Sequence, residues 1–239
     1  MDYSRWMSLN PKIHDKKLAG ICLPMTHDTG TFDLSNVLAP NPEAWLPEVE
    51  AVITEIVKLL NKYDVLPKDV DPLAWAEAEV IKSLKGLATA TKQNVATQLR
   101  LGMRGFDFRM FNNKGTYYCY HGLVSTSTFG SMLDDVASFL IETTNAGAAQ
   151  GEIVYLNMSH YLDYTDDDLA AFGTFVKNKF GDYVYRNTDT NNPFNATYKE
   201  IIGQGGTYRS RVILVSSNPL GDSAVFWPKQ YCPPDDKRT

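Results

Sequence analysis

The chain is short of positive charge: 23 lysines and arginines stand against 28 aspartates and glutamates, for a net charge of −5. That balance leaves no basic footprint for nucleic acid and no strongly cationic face for an anionic membrane. Long apolar runs are missing as well. No segment is long enough to span a bilayer, and the opening MDYSRWMSLNPKIHDKK holds no apolar core of signal-peptide length. The expected location is the cytoplasm or the periphery of a membrane, with export by another route left open. Cysteine is scarce. Cys22, Cys119 and Cys232 leave at least one thiol unpaired and have no metal-ligand spacing, so reduced thiols in an intracellular protein are expected. NAT at Asn195 matches a glycosylation acceptor, a tripeptide common by chance. There is no internal repeat and no low-complexity tract.

What is present suits a soluble globular fold. A chain of 239 residues is one large domain or two small ones, and 44% hydrophobic with 21% charged residues is ordinary composition. We read it as a single domain, 1–239, carrying a helical insertion at 42–92. Leu18 to Leu23 reads as a buried strand. Residues 42–63 then show helical spacing, with Val49, Val52, Ile53, Ile56 and Leu60 on one face. Asp71-Pro72 opens a second helix with Trp75, Val80, Ile81 and Leu84. TKQNVATQLRLG predicts a third, closed by Gly102.

After that the period changes. In RGFDFRMF, Phe106, Phe108 and Met110 alternate with Asp107 and Arg109, which predicts a strand with both charges on one face. TYYCYHG predicts a short strand ending at His121, and Ser131 to Asn145 a helix. EIVYLNMSH is a near-continuous apolar strand ending at His160. Thr165 to Asp168 resembles a capping box opening a helix, a weak strand lies near Tyr183, and RVILVSS is the last clear strand. Strands alternating with helices predict an α/β domain with a mostly parallel sheet, its apolar strands buried on both sides.

His27, His121 and His160 each fall at or after the C-terminal end of a predicted strand, the edge that carries the site in barrels and doubly wound sheets. Asp107 and Arg109 share the face that would line a closed barrel. One imidazole could take a proton from a hydroxyl, a second could give one to a leaving oxygen, and a guanidinium could hold a phosphate. Each has a plainer reading: lone histidines at strand ends are more often structural, and Asp107 and Arg109 could simply neutralise each other. His160 reads as structural or substrate-facing.

LPMTHDTGTF, QLRLGMRGFDFRMF, YHGL and EIVYLNMSHY, in that order, resemble the X-type catalytic domain of phosphatidylinositol-specific phospholipase C, from about Leu18 to Pro228 with the insertion excluded. The first two motifs are specific; the others count through their order. The resemblance implies a distorted TIM-type (β/α) barrel. It also implies attack of the inositol 2-hydroxyl on the neighbouring phosphodiester, releasing diacylglycerol and a cyclic inositol phosphate. His27 matches the general base, His121 the general acid, Asp28 the carboxylate supporting the acid histidine, Asp107 a second carboxylate near the leaving group, and Arg109 the phosphate-binding arginine. With Arg109 and Asp28 where calcium-dependent relatives carry a carboxylate and asparagine, the pattern is the metal-independent one. No metal or other cofactor is expected. The implied partners are a phosphatidylinositol-type headgroup and, transiently, a membrane surface that Trp45 or Trp75 could touch.

Two departures qualify the resemblance. Positions that hold basic residues in the bacterial enzymes here hold His160 and Ser217. Only 22 residues follow Ser217, whereas two more strand–helix units need about 30 residues each. The barrel is therefore expected to be incomplete at its C-terminal side, with AVFWPKQYCPP covering an open edge without forming a central strand. The aspartate that pairs with the base histidine in the family would be missing, leaving His27 a weaker base. The leading expectation is a phosphodiesterase-lyase. The alternatives are a headgroup-binding module and a truncated form of the enzyme.

Overall fold

The computed structural model describes residues 3–40, 46–63, 65–68, 70–146, 151–186 and 192–228. At its centre is β3, Gly105–Asn113, whose alternation works as the sequence predicts. Phe106, Phe108 and Met110 are fully buried on one side, and Asp107 and Arg109 are half-buried on the other. One edge of β3 pairs in parallel with β6, Ile153–Leu162. The opposite edge is shared. β1, Met25–Thr26, pairs in parallel along Gly105 and Phe106, and β4, Thr116–His121, pairs antiparallel along Met110 to Asn113.

The sheet continues from β4 through β5, Leu123–Thr128, to β2, Leu34–Leu38, and from β6 through β7, Arg211–Ser216, to β8, Phe226–Pro228. The β3–β6, β6–β7 and β7–β8 ladders are parallel, whereas β2–β5, β3–β4 and β4–β5 are antiparallel. The expectation of a mostly parallel sheet is thus corrected to a mixed one. Among the described residues no pairing joins β8 back to β1 or β2, so no continuous ladder closes the sheet into a complete (β/α) barrel.

Two apolar layers sandwich the strands. On one side Phe108, Leu156 and Leu214 pack against α4, Phe129–Asn145, and α5, Asp166–Phe180, through Leu133, Val136, Phe172 and Val176. On the other, Tyr155, Ile213, Val215 and Trp227 meet Met7, Leu18 and the short helix Tyr198–Ile202. A buried ion pair fastens the N-terminal segment to this frame. Arg104 donates to Glu152 Oε2 from Nε (2.9 Å) and Nη2 (2.8 Å), both side chains having no solvent exposure. Glu152 Oε1 in turn accepts from the Ser8 amide at 2.9 Å.

Several predicted elements change on folding. The run from Leu18 is not a strand: Leu18–Gly20 is a 3₁₀ turn, and pairing begins only at Met25. Leu18 and Ile21, three apart, are both buried in the second layer, the period of a 3₁₀ turn and not of a strand. Near Tyr183 there is another 3₁₀ turn, Gly181–Tyr183, followed by a single bridge from Val184 to Val212. FWP does form a strand, β8, with its proline at the end of the sheet where the lost donor costs least. β2 and β5 were not foreseen. Their sequences, LSNVL and LVSTST, lack a clear alternation of apolar residues.

The predicted helices form more closely as expected. α1 spans Leu46–Tyr63 and α2 Pro72–Ala88, the latter capped by Asp71, which accepts from the Leu73 amide at 3.0 Å. α3 is shorter than its motif, Val95–Arg100, with Asn94 as its cap and Gly102 left-handed (φ 96°) behind it. The capping box of Thr165 and Asp168 is present as predicted. α1 and α2 pack on each other around an apolar groove of about 800 Å³ lined by Val52, Ile56, Leu60, Trp75, Val80 and Leu84. Ile81 and Ala88 of α2 also touch Leu34, Leu38 and Leu123 of β2 and β5. Trp45 and Cys232 lie outside the described residues.

Candidate active site

The chain leaves β1 at Thr26 and turns sharply. Asp28 adopts the left-handed conformation (φ 47°, ψ 50°), which aspartate tolerates better than most residues. This turn sets His27 over the surface and Asp28 beneath it: the imidazole is 70% exposed and the carboxylate 2%. Hydroxyls hold the turn in place. Thr31 Oγ1 donates to the Asp28 carbonyl at 2.8 Å, and Thr29 Oγ1 accepts from the Asp107 amide at 3.1 Å. Gly30 is required at this point by close approach, because an added Cβ would stand 2.3 Å from Cys119 Cβ on β4.

The network is built around two carboxylates. Asp28 Oδ1 accepts from Arg109 Nε at 2.7 Å, and its Oδ2 lies 3.2 Å from His27 Nε2 and 3.6 Å from His121 Nε2. Asp107 Oδ2 lies 2.9 Å from His27 Nδ1, and its Oδ1 accepts from Asn157 Nδ2 at 2.7 Å. His27, Asp28, Asp107, Arg109 and His121 thus meet in one place, from β1, β3 and β4. One expectation is corrected outright. His27 does not lack a carboxylate partner, because Asp107, read as serving the leaving group, pairs with it across the β1–β3 ladder.

His121 is the last residue of β4, so it arrives on an antiparallel strand and not at the C-terminal edge of a parallel one. Its Nδ1 is 2.9 Å from the carbonyl of Ala88, the final residue of α2. A carbonyl oxygen can only accept, so this contact keeps the hydrogen on Nδ1 and turns Nε2 toward Asp28. The same stretch grips the His27 turn, since the Ala90 amide donates to Thr31 Oγ1 at 2.9 Å. His160 sits within β6 with a left-handed backbone (φ 52°), its Nδ1 2.9 Å from Ser159 Oγ; Ser159 is opposite Arg109 in the ladder.

Sequence reading missed Asn157, Thr29, Thr31 and the Ala88 carbonyl. Asn157 had a signal: it is the amide inside an otherwise apolar strand, and a buried polar group there needs a partner. The threonines and the carbonyl had none, because which hydroxyl or carbonyl meets the site depends on how distant segments are folded together.

Negative charge dominates beneath the turn. Burial first, then the nearby Asp33, Asp28 and Asp107, push the Cys119 thiol well above its usual range, so it is a neutral packing group. His27, Asp28 and Asp107 each offer a ligand atom, all within 4.8 Å of one another. One imidazole and two carboxylates form a reasonable donor set for a divalent cation. The Arg109 guanidinium, however, already occupies one oxygen of Asp28 and places a fixed positive charge beside that set.

Among the described residues no helix is long and apolar enough to cross a membrane. No protein-family model matches the chain. A PI-PLC X-box domain-containing protein of Dictyostelium discoideum is 24% identical over 186 residues, covering 74% of this chain and 20% of that protein. The chain therefore spans about a fifth of the length of that curated relative. The phosphatidylinositol-specific phospholipase C from Listeria monocytogenes superposes with a TM-score of 0.55 at 18% identity, over 94% of this chain and 61% of its own. A Staphylococcus aureus phosphatidylinositol-specific phospholipase C, from work on modulation of its membrane binding, gives 0.53 at 19% identity, over 94% of this chain and 55% of its own. The chain has the fold of these phosphatidylinositol-specific phospholipase C domains.

Proposed function

We propose that the chain is a phosphatidylinositol phospholipase C-like enzyme, cleaving the phosphodiester of an inositol phospholipid by paired histidine acid–base chemistry. The observation that carries this reading is the single network of two histidines, two aspartates and an arginine, held on three strands of this fold.

His27 is the base. With Nδ1–H directed at Asp107, the lone pair rests on Nε2, which is free to accept the 2-hydroxyl proton once substrate displaces the contact with Asp28. Asp107 then stabilises the imidazolium that forms. Arg109 binds the phosphate and stabilises charge growing on its oxygens. His121, its Nδ1 fixed by Ala88, protonates the diacylglycerol oxygen from Nε2. The nucleophile belongs to the substrate, so bond cleavage gains from proximity, and the product is a cyclic inositol phosphate. No step in this scheme requires a metal. The whole chain acts as one domain, with α1 and α2 as an insertion, and meets the lipid at a membrane surface.

A headgroup-binding module is the second reading. It is favoured by the 3.2 Å contact between His27 Nε2 and Asp28, which occupies the base nitrogen. One assay separates the two: release of cyclic inositol phosphate from phosphatidylinositol vesicles, with and without a chelator. Turnover insensitive to chelator is the expected result. Vesicle binding with no product would favour the module, and loss of turnover with chelator would overturn the metal-free scheme.

A further inference from the structure

The end of the sheet remote from His27 holds a second group of charges. β7 begins with Arg211, four residues before Val215, which is in register with Asn157 and so with Asp107. Four residues are about 13 Å along a strand, and the direction is away from the candidate active site. There a cleft of about 430 Å³ opens between the segment at Val184, the loop at Gln204 and the start of β7. Among its lining residues three arginines, Arg186, Arg209 and Arg211, face one carboxylate, Asp182.

Arg211 is the unusual member. It is 5% exposed, yet its described partners are backbone carbonyls: Nη1 donates to Asp182 O at 2.6 Å, and Nη2 donates to the Gln204 carbonyl and to Thr207 O at 3.5 Å. Its Nε is buried with no hydrogen-bond partner. A buried guanidinium without a carboxylate is costly unless an anion completes it. Asp182 does little to do so. It is 86% exposed and 3.5 Å from Arg209, a geometry that solvent screens. Burial, and then repulsion from Arg209, lower the pKa of Arg211 to about 10, as expected for a cation short of counter-charge.

The loop is arranged to leave this space open. The Gln204 side chain brackets the Arg186 backbone, accepting from its amide and donating to its carbonyl at 2.7 Å each. Gly205 and Gly206 are both left-handed, and nothing lies within 4 Å of where a Cβ would be at either. Side chains at those positions would be strained.

We propose that this cleft is a second anion-binding site that takes a phosphate group, held by Arg186 and Arg209 beside the carboxylate-poor guanidinium of Arg211. A tetrahedral dianion presents acceptors in several directions at once, which suits guanidiniums arriving from separate segments. The volume fits a phosphorylated small molecule or one lipid headgroup. The cleft does not depend on the roles given to His27 and His121; only the count of two phosphates rests on Arg109 as the proposed phosphate binder, and Arg109→Ala tests the cleft without it.

The test is titration of the full chain with inorganic phosphate by calorimetry, at constant ionic strength set with chloride. Wild type should bind two phosphates, Arg109→Ala one, and the double variant R186Q/R209Q one. The two glutamines should weaken the second site by about tenfold or more, since each removes a charged hydrogen-bond donor. Arg186 and Arg209 keep some exposure, so these variants should fold; unchanged circular dichroism checks that. Thermal stability gives a second reading. Phosphate should raise the Tm of Arg109→Ala but not of R109A/R186Q/R209Q. Vesicles containing phosphatidic acid distinguish the sources: arginine-dependent co-sedimentation assigns a lipid headgroup, and binding of inorganic phosphate alone assigns a soluble ligand. Phosphate binding by R186Q/R209Q that equals wild type, or its replacement by chloride at equal ionic strength, would overturn the site.

Discussion

His27 Nδ1 and Asp107 Oδ2 are 2.9 Å apart, although 80 residues separate them in the chain. The pair is possible because β1 lies parallel to β3, with Thr26 opposite Phe106, so the residues that follow are brought side by side. Asn157, opposite Asp107 on β6, holds the other carboxylate oxygen and fixes the direction in which Asp107 presents itself.

Asp107→Asn should therefore cost far more activity than stability. An amide at this position cannot stabilise the imidazolium and favours the wrong tautomer; in a serine protease the equivalent change lowers kcat by about 10⁴. We expect a loss of about 10³-fold or more in kcat, with KM little changed. Asn157→Ala should lose about tenfold, since it frees the carboxylate without removing it. Steady-state hydrolysis of a short-chain phosphatidylinositol measures both. Near-normal kcat in Asp107→Asn would show that His27 does not depend on this partner.

Arg109→Ala should remove most activity, by about 10² to 10³-fold, because the phosphate loses its fixed counter-charge. The same change strips Asp28 of its 2.7 Å partner. The bared set of His27, Asp28 and Asp107 then becomes a better cation site. Arg109→Asp assayed with added calcium should recover part of the lost rate, and a chelator should abolish the recovery. Full activity in Arg109→Ala would end the idea that the guanidinium stands in for a metal.

Glu152→Gln tests the frame and not the chemistry. Arg104 is buried with Glu152 as its carboxylate partner, and breaking a buried pair costs about 3 to 5 kcal/mol. For a chain of this size that is a fall in Tm on the order of 10 °C. Replacing both residues by apolar ones should cost less, since no lone charge remains. A thermal melt of the single and double variants gives the comparison, and a double variant worse than Glu152→Gln would contradict it.

Two capping boxes set a pH dependence. Hydrogen bonds from Thr165 hold the Asp168 carboxyl below its usual range, and those from the Thr197 amide and hydroxyl do the same for Glu200. Each folded-state value is depressed, so the contribution is fully present above the ordinary carboxylate values of 3.8 and 4.5. It is lost as pH falls through the lower folded values. The protection factor of the amides at the start of α5, taken against the intrinsic exchange rate at each pH, should fall as pH drops below about 4, and Thr165→Ala should flatten that change. An unchanged pH response in the variant would locate the acid sensitivity elsewhere.

What the sequence determined by itself is local in origin. The alternation in RGFDFRMF placed Asp107 and Arg109 on one face, because a strand has a period of two and that face is the interior. Asp71-Pro72 and the Thr165–Asp168 box started helices where their side chains could satisfy the first amides. The order of the histidine and arginine motifs was enough to suggest the fold. Tertiary structure decided the rest. The run at Leu18 became a 3₁₀ turn whose buried Leu18 and Ile21 join one apolar cluster with Tyr198 and Trp227, residues far along the chain. FWP became a strand because β7 offered an unpaired edge. The partner of His27 was assigned by the β1–β3 register, and the clamp on His121 by the end of a helix 33 residues earlier. Each of these is a contact between distant segments, and its energy depends on where the backbone has already been placed.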